Sequence, residues 1–381
     1  MSHILLNSAE IPADAQRILV IRLGAMGDVL RTLPAVAELR ARRPEAKIHW
    51  LIERRVRDVV ERLPYVDAII EFPREAIEAA VRAGKLVSAA RQFRDFCKQL
   101  RDAHYDAVLD FHSIARSALL SRATCAPLRV TYAPPHAREG AHYAATHRAR
   151  LVPNRISRFE RTQALVDFVA PPTVGTKPTT SLLDVDLSLV LLAGAPAPIV
   201  LHPGASAVAG YKRWSVDGFA ELATRLAADG EQVFVAHGPG EAADAASIVD
   251  RSCGAAALAP ATESFDALVA LLASARALVA ADSGPLHVAS LVGTPVVQLL
   301  GPTHPVENSP WTQTPSISVR GGASLGCSPC RRGCSAAACM REIGSAEVYA
   351  ALRELVAAPQ REASVRPPSA PRGYDRHLTP A

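Results

Sequence analysis

What this chain has little of narrows the search first. Aromatic residues make up only 5% of its 381 residues. No basic stretch is interleaved with aromatics, so the base-stacking platforms of single-strand and RNA binders are not expected, and nucleic acid is not the expected partner. No run of about 18 uncharged apolar residues occurs, so no membrane-spanning helix is expected. The opening MSHILLNSAEIPADAQR has no basic segment ahead of an apolar core, which argues against a secretory leader and for a cytoplasmic protein. The dinucleotide fingerprint G-x-G-x-x-G is missing, as is any repeat at solenoid spacing. Seven cysteines in a chain expected in the cytosol should be mostly reduced, which disfavours a disulfide framework.

What is present reads as a globular α/β protein. Hydrophobic residues are 49% and charged residues 21%, a balance that supports a packed core. At about 150 residues per domain, the length fits two domains. Strand-like runs Arg17–Arg22, Lys47–Ile52, Ala68–Glu71 and Ala107–Asp110 alternate with helical stretches 29–42, 54–63 and 86–103. Pro34 should kink the first helix or thin its hydrogen bonds. Turn-rich sequence from 171 to 198 reads as a linker. Beyond it a second series follows: Ile199–His202, a helix over 216–229, Gln232–Ala236, a helix over 241–250, Ala277–Ala281 and Pro295–Leu300. Alternation of this kind implies parallel βαβ units, and two such series imply two Rossmann-like domains facing a cleft. We place the N-terminal domain at 1–170 and the C-terminal domain at 199–357, with a disordered tail over 358–381.

Three turns carry the chemistry. Asp282-Ser-Gly-Pro-Leu-His287 follows an apolar strand and opens a helix, leaving free N–H groups and the positive helix end outward, a place for phosphate. Gly24-Ala-Met-Gly-Asp28 follows the first strand, and Asp28 falls at the cap or first turn of the next helix, where Asp is a common N-cap. His202-Pro-Gly-Ala-Ser206 opens the second domain and leads to Lys212-Arg213-Trp214. A lysine at the cleft would neutralise charge growing on a leaving diphosphate. Glu241, after Gly238-Pro-Gly, reads equally as a ligand for ribose hydroxyls and as a helix N-terminal acid. His287 reads as a phosphate donor or as an ordinary packed residue.

Gly27, Asp28, Leu30 and Pro34 match a G-D-x-L-x-x-x-P element. With the P-G-A turn, the Lys212-Arg213-Trp214 element and Asp282-Ser-Gly, the chain resembles the ADP-heptose:lipopolysaccharide heptosyltransferases, glycosyltransferase family 9. The resemblance runs from about Arg17 to about Val348 and is weak between Arg122 and Pro198. It implies the GT-B architecture, with acceptor on the N-terminal domain and nucleotide sugar on the C-terminal one. It implies inverting transfer of heptose from ADP-L-glycero-D-manno-heptose to the lipopolysaccharide inner core. Asp28 would be the general base and Lys212 the catalytic cation. His202, Gly204, Ser206, Lys212, Arg213, Glu241, Asp282, Ser283, Gly284 and His287 would form the donor site. Arg22, Gly24, Gly27 and Arg31 would lie on the acceptor side. Rivals within the class are an O-heptosyltransferase acting on a secreted protein such as an autotransporter adhesin, and a GT-B enzyme using a UDP- or GDP-sugar. A nucleotide-binding regulatory protein would keep the phosphate turns without needing a base.

Two features stand apart. Between Arg122 and Arg161 lie eight arginines, three histidines and only two acids, Glu139 and Glu160. This is either a solvated face or a surface for an anionic acceptor at a membrane, with the protein cytoplasmic or peripheral on the inner face of that membrane. Cys327, Cys330, Cys334 and Cys339 have the spacing C-x2-C-x3-C-x4-C, which suits a structural zinc or iron, or is a family loop of reduced thiols. No obligatory cofactor is expected. Asp282 would either hold its loop through hydrogen bonds or coordinate a divalent cation bridging to the diphosphate.

Overall fold

The computed structural model describes residues 4–5, 7–172, 183, 196–205, 207–326, 330, 334 and 336–357. Most of the expected linker, the expected tail, Ser206 and Cys327 lie outside the described residues.

The first half is built on β2 (Arg17–Ile21), β3 (Lys47–Glu53), β4 (Ala68–Phe72), β5 (Ala107–Asp110), β6 (Leu128–Tyr132) and β7 (His147–Ala149). These form one parallel sheet in the order β4-β3-β2-β5-β6-β7. Helices α1 (Met26–Leu30), α2 (Leu33–Arg42), α3 (Arg74–Arg82), α4 (Leu86–Asp102) and α5 (Ala115–Ala123) connect them. A short ribbon pairs β1 (Ile4–Leu5) with β8 (Leu151–Val152), and α6 (Arg158–Val169) closes the half.

The second half repeats the plan. β9 (Ile199–His202), β10 (Val233–Val235), β11 (Ala257–Leu258), β12 (Ala277–Ala281), β13 (Val296–Leu300) and β14 (Ser316–Arg320) form a parallel sheet in the order β11-β10-β9-β12-β13-β14. Its helices are α7 (Val216–Ala228), α8 (Ala242–Arg251), α9 (Phe265–Ser274), α10 (Gly284–Val292), α11 (Ala338–Arg341) and α12 (Ser345–Ala357).

Local rules explain the elements. β12 is ALVAA and fully buried, as expected of a central parallel strand covered on both faces. Ser157 and Glu160 make a reciprocal capping box at the start of α6, satisfying two orphan donors. Gly293 ends α10 in a left-handed conformation, φ 90°, which costs glycine little. The helix expected over 29–42 is instead two helices. The chain breaks at Arg31–Thr32, and Pro34 sits in the first turn of α2, where a missing N–H costs nothing. The stretch after β3 is a 3₁₀ turn over Arg54–Val59 rather than a full helix.

In both sheets the chain runs outward from its first strand and then returns to that strand's other side. The order therefore reverses between β2 and β5, and again between β9 and β12. Ligands of such sheets bind outside the carboxyl ends of the strands at these reversals. One apolar core joins the halves. It runs from Val20 and Trp50 through Val29, Leu33, Phe159 and Val166 to Leu286, Val288 and Val296.

Candidate active site

Arg22, Gly24 and Asp28 follow β2 at the first reversal, His112 follows β5, His202 ends β9 with Gly204 just beyond it, and Asp282 follows β12. The two sheets thus deliver these residues to their switch points by topology, and His112, which the sequence reading did not name, joins the expected ones.

Asp28 sits in the first turn of α1 but does not cap it; Ala25 occupies the N-cap position. Its carboxylate meets Arg22 at 2.5 Å, Arg158 at 3.2 Å and Arg31 at 3.4 Å. Burial alone would raise its pKa. The charges of Arg22, Arg31, Arg158 and Arg161 more than reverse this and hold the carboxyl well below its usual range. Arg22 is itself fixed by donating to the Phe111 carbonyl at 2.7 Å. His112 accepts from the Leu23 N–H through Nδ1 at 3.2 Å. Burial and the nearby Arg22 push its pKa down to about 3, so its ring is neutral at physiological pH.

Asp282 organises the other side. It is buried and receives Arg31 at 2.8 Å, Lys212 at 2.8 Å and His287 at 3.4 Å. Burial opposes its ionisation, yet the His287 hydrogen bond and the charges of Arg31 and Lys212 keep its pKa well below normal. These contacts tie the Asp282 carboxylate to Arg31, Lys212 and His287 by hydrogen bonds. Ser283 takes the N-cap position of α10, but its hydroxyl makes no cap bond. Burial lowers His287 to a pKa of about 4. The Ser283 hydroxyl and the Nδ1 atoms of His287 and His202 are buried without hydrogen-bond partners. Unsatisfied groups of this kind are rare in native proteins, and their gathering at one strand-end cluster marks a place for a polar ligand.

The two clusters are joined. Arg31, 6% exposed, donates from one side to Asp28 and from the other to Asp282, so the two carboxylates lie within one guanidinium's span. Gly27 and Gly284 allow the approach. A Cβ on Gly284 would stand 2.9 Å from Met26 Sδ, and one on Gly27 would stand 3.4 Å from the His287 ring.

Glu241 lies at the start of α8, where the reading as a helix N-terminal acid puts it. It stands at the N-cap of α8 without making a cap bond. Its carboxylate accepts instead from the Gly238 N–H at 2.9 Å and lies 3.6 Å from His202. It also lies so close over Gly204 that a Cβ there would fall 2.0 Å from its oxygen. Arg213 pairs with Asp244 at 2.8 Å and reaches Glu241 at 4.0 Å. Gly24 lies against Arg55, whose guanidinium would be 3.3 Å from an added Cβ. Among the described residues no three His, Cys, Asp or Glu side chains gather as they would around a metal ion. A 760 Å³ hollow lined by Arg54, Arg57, Glu61 and Glu71 among others contains none of the expected site residues.

The arginine-rich span does not act as one face. Arg129 donates to the carbonyls of Ala126 and Ala144, and Arg148 to that of His142, as loop fasteners. Only Arg158 and Arg161 enter the cluster around Asp28. Arg161 pairs with no carboxylate among the described residues; it lies over the Tyr132 ring at 5.8 Å. Burial lowers its pKa to about 10. Sequence reading missed these two as individuals. Their i, i+3 spacing behind a capped helix start was the available signal. Five cationic groups, Arg22, Arg31, Arg158, Arg161 and Lys212, thus surround two carboxylates, an excess suited to anionic substrates.

Comparison with known proteins bears on the fold and the family. Lipopolysaccharide heptosyltransferase 1 of Pseudomonas aeruginosa is 28% identical over 324 residues, 82% of this chain and 86% of that protein. A family 9 glycosyltransferase from Veillonella parvula superposes with a TM-score of 0.72 at 20% identity, over 93% of this chain and all of that one. Escherichia coli ADP-heptose lipopolysaccharide heptosyltransferase II gives 0.69 at 22% identity, over 90% and 99%. These folds share the GT-B architecture of two facing α/β domains. Residues 93–340, well over half of the chain, match the profile of glycosyltransferase family 9 (heptosyltransferase), and the protein belongs to that family of heptosyl-transferring glycosyltransferases.

Proposed function

We propose that this enzyme moves heptose from ADP-L-glycero-D-manno-heptose to a hydroxyl of the lipopolysaccharide inner core, with inversion at the anomeric carbon. The observation that carries the reading is the pairing of two unlike clusters through Arg31. Asp28, with its arginines, stands on one side. The Asp282-Ser283-Gly284 turn with Lys212 and His287 stands on the other.

In this reading the donor diphosphate lies at the start of α10, where the helix end and the Ser283 hydroxyl favour it, and Lys212 leaves Asp282 to meet it. His202, Gly204, Arg213 and Glu241 flank the nucleotide side. Asp28 accepts the proton of the acceptor hydroxyl as its oxygen attacks the anomeric carbon. The bond to the diphosphate breaks on the opposite face, and Lys212 stabilises the charge that develops on ADP. Arg158 and Arg161 take a carboxylate or phosphate of the acceptor. That anion draws their charge away from Asp28 and raises its basicity when the acceptor is in place. The base is then strong only in the full complex, which limits transfer of heptose to water.

ADP release from ADP-heptose, measured with a panel of truncated lipopolysaccharides, tests the reading. Release should require one particular truncation. Release that occurs only with a UDP- or GDP-sugar would assign a different donor.

A further inference from the structure

The hairpin of α3 and α4 has no part in the site, yet it gathers three large apolar side chains that stand exposed. Val81 is 49% exposed, Leu86 64% and Val87 78%. Each stands at or beside the turn between the helices, which Gly84 makes with a left-handed φ of 70° and with open space around it. From Ala79 to Arg94 the sequence holds Arg82, Lys85, Arg91 and Arg94 and no acid. Arg94 is engaged by Asp95 at 2.8 Å, and the other three have exposed side chains.

The hairpin also points in a definite direction. The carbonyl of Ala103, just after α4, accepts from Arg17 at the start of β2, which pins the end of α4 to the amino edge of the sheet. α4 has 17 residues and β2 has five. These lengths correspond to about 25 Å of helix against about 16 Å of strand. The first turns of α4 therefore overhang the carboxyl edge of the sheet, the edge that carries Asp28. α3 begins at that same edge, directly after β4.

We propose that the α3–α4 hairpin is a docking element for an anionic phospholipid bilayer, with Val81, Leu86 and Val87 entering the headgroup boundary and Arg82, Lys85 and Arg91 meeting lipid phosphates. Apolar tips ringed by basic residues bind in this manner, and the affinity combines buried apolar area with attraction to anionic lipid. Charge complementarity selects the bilayer over a second copy of the chain. A two-fold contact through this tip would set the same basic residues of both copies against each other. Docking on this side turns the Asp28 edge toward the membrane surface. The inference does not depend on which acceptor is glycosylated, because binding to vesicles requires no turnover.

Flotation of the full-length protein with vesicles tests it. The protein should float with phosphatidylcholine vesicles containing phosphatidylglycerol, but not with phosphatidylcholine alone, and added salt should weaken the association. R82Q/K85Q/R91Q should weaken it about a hundredfold, at roughly fivefold for each basic residue near the surface. L86S/V87S should also reduce it, while L258S, an exposed site on the other half, should not. All these positions are exposed, and an unchanged circular dichroism spectrum verifies folding. Equal flotation of the hairpin variants and wild type would overturn the proposal. So would equal binding to neutral vesicles, or a monomer–dimer equilibrium that the hairpin variants abolish without any change in flotation.

Discussion

Replacing Asp282 with asparagine keeps the size of the side chain and removes one buried negative charge. The change leaves Arg31, 6% exposed, and Lys212, 20% exposed, without the carboxylate that each meets at 2.8 Å. Breaking a buried ion pair by deleting one partner costs about 3–5 kcal/mol, because the remaining charge stays desolvated. Asp28 still faces Arg31 at 3.4 Å, and Lys212 can turn to water, so the lower part of that range is expected. A loss of about 3 kcal/mol lowers the folded-to-unfolded ratio by more than a hundredfold. Urea unfolding followed by tryptophan fluorescence reports it. Trp311 packs on Phe159 from the other half at a ring separation of 5.1 Å, while Trp50 and Trp214 lie in the two cores, so the signal follows both halves and the seam between them. A D282N variant within about 0.5 kcal/mol of wild type would refute the view that Asp282 neutralises the buried cations.

The same charges predict how stability depends on pH. Asp28 and Asp282 have folded pKa values below their unfolded ones. Their contribution is complete above the unfolded value of about 4 and disappears as pH falls further. His112 and His287, lowered to about 3 and about 4, resist protonation in the folded state. The unfolded chain takes up those protons first, so stability should already decline as pH drops below about 6.5. Wild type should therefore lose stability in two stages on acidification, and D282N should lack part of the second stage. Buried Asp110, raised to about 6, works in the opposite sense over part of this window. The profile should therefore be taken in a D110N background, where a flat course between pH 6.5 and 4 would contradict the histidine assignment.

Other perturbations address the chemistry directly. D28N should lower turnover by roughly 10²–10⁴-fold with ADP affinity nearly intact; near wild-type turnover would leave Asp28 as only a charge partner for the arginines. R158Q and R161Q should raise the acceptor KM and leave ADP affinity unchanged in calorimetry, and a change in ADP affinity alone would move both residues to the donor side. G204A forces the Glu241 carboxylate off the end of β9, since the new Cβ would lie 2.0 Å from it. It should weaken nucleotide binding while the E241Q background hardly relieves the clash. If the cysteine segment binds metal, protein purified anaerobically without chelator should contain about one zinc or iron, and replacing Cys334 with serine should release it. Metal-free protein would leave those thiols as a loop.

Much of this protein was legible without coordinates. Apolar runs bounded by small residues located β5, β9 and β12 to the residue, because a buried parallel strand is an uninterrupted apolar segment with abrupt polar ends. The turns after β2, β9 and β12 were legible because a strand-to-helix reversal demands small residues and leaves donors free, whatever surrounds it. Less local features were not. α9 is nearly all apolar and shows no clear polar face, and α3 is a short amphipathic helix of nine residues, about two and a half turns, beside a longer one.

Sequence alone therefore determined two alternating α/β series and the residues at their strand ends, since short-range periodicity and turn chemistry decide both. Only the tertiary structure decided which charges share a site. Arg31 meets Asp282 across 251 positions, and Arg158 meets Asp28 across 130. Long guanidinium side chains choose partners by reach and by the exclusion of water, and neither leaves a trace in local spacing. The packing of α1 against α10 created the first pairing, and α6, whose Thr162 donates to the Arg31 carbonyl, created the second; together they surround the Asp28 carboxylate with cations.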